Sequence, residues 1–256
     1  MDYTNLVKNL TVLPASNGGS TKPQLVTMPT LRDVQNQHKV EIRLRLIPDF
    51  STDPISAAPY QYHFHGMKNP ATGVFSSIAC PPVGPDKRPT CPICQRALAE
   101  WNRRHAHLDW NRQEEYLLNA LVIDNPLNPA QNGTVRVLKF RKQLKEIIDS
   151  ALTGRDAATI GTRLFRLGPD GRTLVVRADP SGGYPNYGRS FIDSPERSQR
   201  DTAHLSEYLQ NAIYGQYRPL AEVFPPATLE EAEAWYRSNV LCEELPADPP
   251  DSPMPF

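Results

Sequence analysis

Hydrophobic and polar residues alternate in two early stretches of the chain, and the alternation predicts strands. Val40, Ile42, Leu44 and Leu46 are separated by Glu41, Arg43 and Arg45, the period of a half-buried strand with one face in a core and the other presenting arginines. In a second run Tyr60, Tyr62 and Phe64 share one face while His63 and His65 share the opposite one. Strand signals return at 116–123 and 134–140, on either side of a Pro/Asn-rich loop. Two more, at 163–167 and 172–178, flank Gly168-Pro169-Asp170-Gly171 and read as a hairpin.

Helical patterns are fewer. One follows Cys94 and runs to about His105; in another, Leu144, Ile147, Ile148 and Leu152 mark one face of a helix ending near Gly154. Ser194-Pro195 fits the N-cap and first position of a helix running toward Ala212, and Thr228 with Glu231 has the spacing of a capping box for a helix reaching about Val240. About five strands with one intervening helix suit an OB-type barrel, a mainly β fold with helices (α+β). The predicted organisation is an N-terminal arm over 1–39, polar and read as mobile; an OB core over 40–192 with an insert at about 60–112; C-terminal helices over 193–242; and a tail over 243–256.

Composition sharpens this picture. The 26 prolines argue for turns and extended segments over a long-helix bundle. No apolar run approaches the roughly 18 residues of a spanning helix, and the opening residues lack the basic and apolar regions of a signal peptide, so an intracellular, non-membrane protein is expected. The net charge of zero hides an asymmetry. Residues 221–256 hold eight acids against Arg237, which leaves 27 basic and 20 acidic residues before them, a formal excess of +7. A basic body with an acidic tail is a nucleic-acid signature.

Three of the four cysteines cluster, which points to a metal site and away from a disulfide framework. Cys91-Pro92-Ile93-Cys94 supplies two thiolates from one turn. Cys80 would add a third, and an imidazole from the preceding strand, His63 or His65, would complete a Cys₃His site for one structural zinc ion. Such a site is closed, and it would staple an insert that has little apolar surface to bury. A zinc hydrolase needs an open metal position, and a deaminase needs His-x-Glu beside its Cys-x-x-Cys; neither pattern is present, so no enzymatic activity is expected.

Single strands are held by cations along phosphates and rings on bases. Arg136, Lys139, Phe140 and Arg141 form one interleaved cluster, and Arg177, Tyr184, Tyr187, Arg189 and Phe191 form a second, with Tyr116 opening a strand between the insert and the first. These ordered motifs resemble the zinc-containing single-stranded DNA-binding proteins of T4-type phages. The matching features are His65-Gly66, then Cys80, then Cys91-Pro92-Ile93-Cys94-Gln95; Tyr116 followed by Asn119-Ala120-Leu121-Val122-Ile123; Lys139-Phe140-Arg141; and Gly183-Tyr184-Pro185-Asn186-Tyr187 with Phe191 beyond. The similarity spans about Val40 to Ser194 and favours His65 over His63 as ligand.

The resemblance implies a protein that coats and protects single-stranded DNA during phage replication, recombination and repair, in the cytoplasm of a bacterial host. The family's basic N-terminal motif has no counterpart before Lys39, and a tryptophan of its helix is replaced near Ile148, so self-association along the strand stays open. The tail is similar to those of bacterial single-stranded DNA-binding proteins. Asp248, Asp251, Pro255 and Phe256 would recruit replication and recombination partners through acids and a terminal aromatic. The competing expectation is a zinc-containing interaction adaptor without strong DNA binding of its own.

Overall fold

The structure is a computed structural model, and it describes residues 24–37, 39–51, 58–82, 90–105, 108–181 and 183–243. Its described residues divide into two compact units. The first contains those up to Gln61 together with Glu115–Val223; the second contains Tyr62–Glu114 and those from Phe224 onward. Eight strands make one antiparallel sheet: β1 (Val40–Ile47), β2 (Tyr60–Lys68), β3 (Phe75–Ala79), β4 (Gln113–Asp124), β5 (Val135–Phe140), β6 (Leu174–Ser181), β7 (Tyr184–Asn186) and β8 (Phe191–Ile192). Their order is β3-β2-β4-β1-β6-β7, with β5 on β4 and β8 on β6.

In the first unit, period-2 alternation places Ile42, Leu44 and Leu46 of β1 in one core with Leu118, Ala120 and Val122 of β4, and with Leu174 and Val176 of β6. Helix α1 (Leu31–Gln37) lies before β1, and helix α3 (Lys142–Leu152) brings Leu144 and Ile148 into that core from positions four apart on one face. Strand β1 lies between β4, paired through Arg43–Ile47, and β6, paired through Val40–Leu44, and its ladder with β4 has a register shift between Arg43 and Leu44.

The fold is thus mixed α and β, as expected, but among the described residues the sheet does not close into a barrel. One edge that closure would use is occupied. The Val137 N–H donates to the Gln24 carbonyl at 3.0 Å, and its carbonyl accepts from the Val26 N–H at 3.0 Å, so residues around Leu25 run parallel to the outer edge of β5. The expected mobile arm is therefore ordered over 24–37, where Val26 and Val34 are buried. Its earlier residues, 1–23, lie outside the described ones.

Three other expectations differ from the structure. The arginine face of β1 does not face water: Arg45 is wholly buried, donating to the Ser198 carbonyl at 2.7 Å and the Thr202 hydroxyl at 2.8 Å, and Arg43 pairs with Asp193 at 2.8 Å and Asp201 at 2.6 Å. Helix α4 (Pro195–Thr202) and the turn before it cover this face. Burial pushes the Arg45 guanidinium down to about 10, which still leaves it charged at neutral pH. Residues 163–167 are not a strand, because Gly161–Phe165 wind as a 3₁₀ turn. The helix expected from Ser194 toward Ala212 is two, α4 and α5 (Glu207–Tyr214), the second opened by Ser206 as its own N-cap; the short α6 (Leu220–Val223) follows.

The second unit holds the β2–β3 hairpin, helix α2 (Pro92–Arg104) and helix α7 (Leu229–Asn239). The Thr228 side chain accepts from Glu231 N–H, and Glu231 accepts from Thr228 N–H, closing the capping box at the start of α7. Ala232 and Trp235 of α7 pack with Cys91, Ile93, Cys94 and Trp110, and the Trp235 indole donates to Ser76 Oγ at 2.8 Å. The Arg96 guanidinium meets both Glu233 oxygens, at 2.5 and 2.8 Å, and lies 4.4 Å from the centroid of the Tyr236 ring. Sequence reasoning had set this helix with the C-terminal helices rather than with the insert. The insert's shortage of apolar residues was the signal that something else must cover it.

Candidate metal centre and nucleic-acid interface

His65, Cys80, Cys91 and Cys94 come together in the second unit, their ligand atoms all within 4.8 Å of one another. Each is delivered by a local feature of the sequence. His65 sits on β2; Cys80 directly follows β3, its N–H donating to the His63 carbonyl at 2.8 Å, so the ladder puts Cys80 and His65 on the same face. Cys91 is the N-cap of α2, Pro92 takes the position that needs no donor, and Cys94 stands one turn in. Two sulfurs at a helix N-terminus are favoured as thiolates by the orphan N–H groups there.

The edges of this cluster fit a tetrahedral ion. Cys80 Sγ lies 3.6 Å from Cys94 Sγ, and His65 Nε2 lies 3.4 Å from both Cys91 Sγ and Cys94 Sγ. Ligands at about 2.3 Å (sulfur) and about 2.05 Å (nitrogen) from a common tetrahedral centre would stand about 3.8 and about 3.6 Å apart. The sulfurs are much farther apart than the roughly 2.05 Å of a disulfide. The far side of the imidazole is fixed as well: Nδ1 lies 3.0 Å from the Trp110 carbonyl and donates to it, which leaves Nε2 as the coordinating nitrogen.

Protonation follows the same geometry. Burial works to lower the pKa of His65, but its hydrogen bonds to the sulfurs of Cys91 and Cys94 and to the Trp110 carbonyl outweigh it and raise the value to about 9. Hydrogen bonds from Cys80 and Cys94 hold Cys91 far below the ordinary thiol range, while the same sulfur network pushes Cys80 up. Together the four residues could hold one metal ion, which would replace these protons. His63 is not part of the set, since its Nε2 faces Glu114 at 3.7 Å, and Cys242 is exposed elsewhere.

The residues expected at a nucleic-acid face separate into groups. Lys139 and Arg141 stand together, both 3.0 Å from the Glu115 carboxylate. Tyr116 and Phe140 are opposite partners in the β4–β5 ladder, but both are buried in the core with ring centroids 5.8 Å apart. They were expected as open stacking rings, and the correction is one of pleat. Alternation puts Lys139 and Arg141 on one face of the sheet and the two rings on the other. Arg136 falls outside the Lys139–Arg141 pair, with its Nε donating to Thr134 Oγ1 at 2.9 Å and its guanidinium bonded to Gln24.

The second group surrounds the β6–β7 hairpin. Tyr184 is 76 % exposed. Arg189 approaches Asp179 at 3.9 Å with most of its side chain in water. Arg177 pairs with Glu41 and lies 5.2 Å from the centroid of the Phe191 ring. Tyr187 is instead half-buried: its hydroxyl donates to the Pro29 carbonyl at 2.8 Å, and burial pushes its pKa up to about 12.

One residue that sequence reasoning missed joins the two groups. The Gln143 amide donates to Asn186 Oδ1 at 3.3 Å and accepts from the Tyr187 N–H at 2.9 Å, tying the Tyr184–Tyr187 segment to the first turn of α3, just after Lys139 and Arg141. No periodicity or motif marks a glutamine for this. Asp248, Asp251, Pro255 and Phe256 lie outside the described residues. No protein-family model matches the chain, and no curated protein matches it. No helix among the described residues is long and apolar enough to cross a membrane.

Proposed function

We propose that this chain is a single-stranded DNA-binding protein of the zinc-containing phage type, without enzymatic activity of its own. The observation that carries the reading is the junction at Gln143. It ties the segment that carries the exposed Tyr184 to the first turn of α3, which follows Lys139 and Arg141 in the chain, and cations with an exposed ring are what grips unpaired bases. Backbone cations supply affinity without reading sequence, and Tyr184 supplies stacking.

The strand order supports an OB-type reading of the first unit. Strands β5, β4, β1, β6 and β8 follow one another in the sheet, and α3 lies between β5 and β6 in the chain, so the pattern lacks only a pairing that closes the ring. In OB folds the face of the second and third strands and the loop between the last two bind oligonucleotides. Here those are β4 with β5, which carry Glu115 and Lys139, and the segment after β6, which carries Tyr184.

We read the metal as zinc, because three thiolates and one imidazole at tetrahedral spacing are its structural donor set. His65, Cys80, Cys91 and Cys94 would hold it and leave no position for a substrate water; bound there, it supplies folding free energy to the second unit. The acidic tail is assigned to recruitment of replication partners, and the site of action to the bacterial cytoplasm.

The test is anisotropy of a labelled oligo-dT with the full chain and its Tyr184→Ala variant. Loss of one stacked base is worth about 1–3 kcal/mol, so binding weakens about fivefold or more. Unchanged affinity would contradict the proposal and favour the adaptor.

A further inference from the structure

Tyr184 is the ring that the preceding reading places on a base, yet the hairpin carrying it has little of its own to hold it in place. Strand β7 pairs with β6 at three positions, Ser181 with Tyr184, Pro180 with Pro185 and Asp179 with Asn186. The middle pair is two prolines, neither of which has an N–H to give the ladder. A two-stranded ribbon this short is marginal in water, so a ring on it needs support from outside the hairpin.

That support converges on Tyr187, the residue after β7. Its N–H donates to Gln143 Oε1 at 2.9 Å, its carbonyl accepts from the Ser190 N–H at 3.0 Å, and its hydroxyl donates to the Pro29 carbonyl at 2.8 Å. Its side chain packs against the cluster of Val34, Val40 and Ala178. Pro29 is itself held from both sides. Before it, the Gln24 carbonyl and the Val26 N–H bond across to Val137. The Gln131 side chain accepts from the Thr27 N–H and donates to the Leu25 carbonyl, both at 3.0 Å, and the Asn125 side chain donates to the Thr27 carbonyl at 3.0 Å. Asn125 and Gln131 are buried, so release of the arm would strand polar groups away from water. After Pro29 the chain enters α1, whose Val34 is wholly buried.

We infer that residues 24–29 are a strap that positions the strand-binding hairpin, with Tyr187 and Gln131 as its positioning residues. Gln131 fixes the strap, the strap presents the Pro29 carbonyl, and Tyr187 carries that fixed point to the segment that holds Tyr184. The inference rests on the single-strand reading and deepens it. Tyr187 anchors instead of stacking, and the stacking part of the affinity depends on hydrogen bonds made within the protein, away from the exposed ring.

The test compares the affinity of the zinc-loaded full chain for oligo-dT with that for an abasic oligodeoxynucleotide of equal length. Both strands offer the same phosphates, so the ratio of the two affinities reads base stacking, while the salt slope of oligo-dT binding reads phosphate contacts. Tyr187→Phe keeps the ring and removes one hydrogen bond; it is expected to lower the ratio by about two- to tenfold, the worth of that bond, with the slope unchanged. Gln131→Ala, at the other end of the strap, should lower the ratio in the same sense, and it decides the matter if Tyr187→Phe folds poorly. In a Tyr184→Ala background neither change should lower the ratio further, because the ring they position is gone. A residue with a merely structural role would move the melting temperature and leave the ratio alone. A folded Tyr187→Phe with the wild-type ratio would overturn the inference, and so would a loss that persists in full without Tyr184. If the wild type fails to bind oligo-dT, or binds both strands equally, the underlying reading falls instead.

Discussion

Among the described glycines, Gly171 is the position where the fold can least accommodate a side chain. A Cβ there would stand 1.9 Å from the Arg166 carbonyl oxygen and 2.5 Å from Arg45 Nη1. Because the first of these neighbours is backbone, and the second is a buried guanidinium that itself donates to the Arg166 carbonyl at 3.3 Å, neither can step aside. Overpacking of this kind costs about 1–3 kcal/mol. Gly171→Ala should therefore lower the urea midpoint of the first unit without changing the metal content of the second. At this scale the sequence was informative about chemistry and less so about direction. The spacing of Cys91 and Cys94 announced a metal site, but whether Phe140 or Lys139 faces water depends on which side of β5 meets the core. Both residues suit a strand, and only the packing of Leu138 and Phe140 against Leu144 and Ile148 decides it.

At the scale of elements, the second unit is assembled from pieces distant in sequence, a hairpin and two helices, each with little apolar surface of its own. Its apolar cluster is small, built around Ile93, Trp110, Ala232 and Trp235 with the cysteines themselves among its members. The candidate ligands and the core are thus one structure. All three tryptophans of the chain, Trp101, Trp110 and Trp235, belong to this unit, so indole fluorescence reports on it. Stripping the metal with a strong chelator should shift that emission to the red and expose the unit to protease, while the first unit keeps its own cooperative melt. Unchanged emission after verified metal loss would show that the apolar contacts suffice. Elements with local signals, such as the capping box at Thr228 and the N-cap at Ser194, were legible from the chain alone. The break between α4 and α5 was not: Ser206 caps the second helix, yet the intervening residues carry no proline or glycine to announce a stop.

For the molecule as a whole, charge is the property that sequence and structure describe differently. The formal excess of +7 before residue 221 suggests broad basic surfaces. Much of it is internal or paired: Arg45 is buried, Arg43 meets two aspartates, and Arg177 meets Glu41. Where β5 leads into α3, Lys139 and Arg141 meet Glu115, and Gln143 ties the Tyr184–Tyr187 segment to the first turn of α3. The most direct test of this account is the affinity of the zinc-loaded full chain for oligo-dT and for duplex DNA of equal length, measured across a range of salt. The account predicts tighter binding to the single strand throughout, with log affinity falling linearly against log salt at about 0.7 per phosphate neutralised. Equal affinity for the two, or binding indifferent to salt, would contradict it.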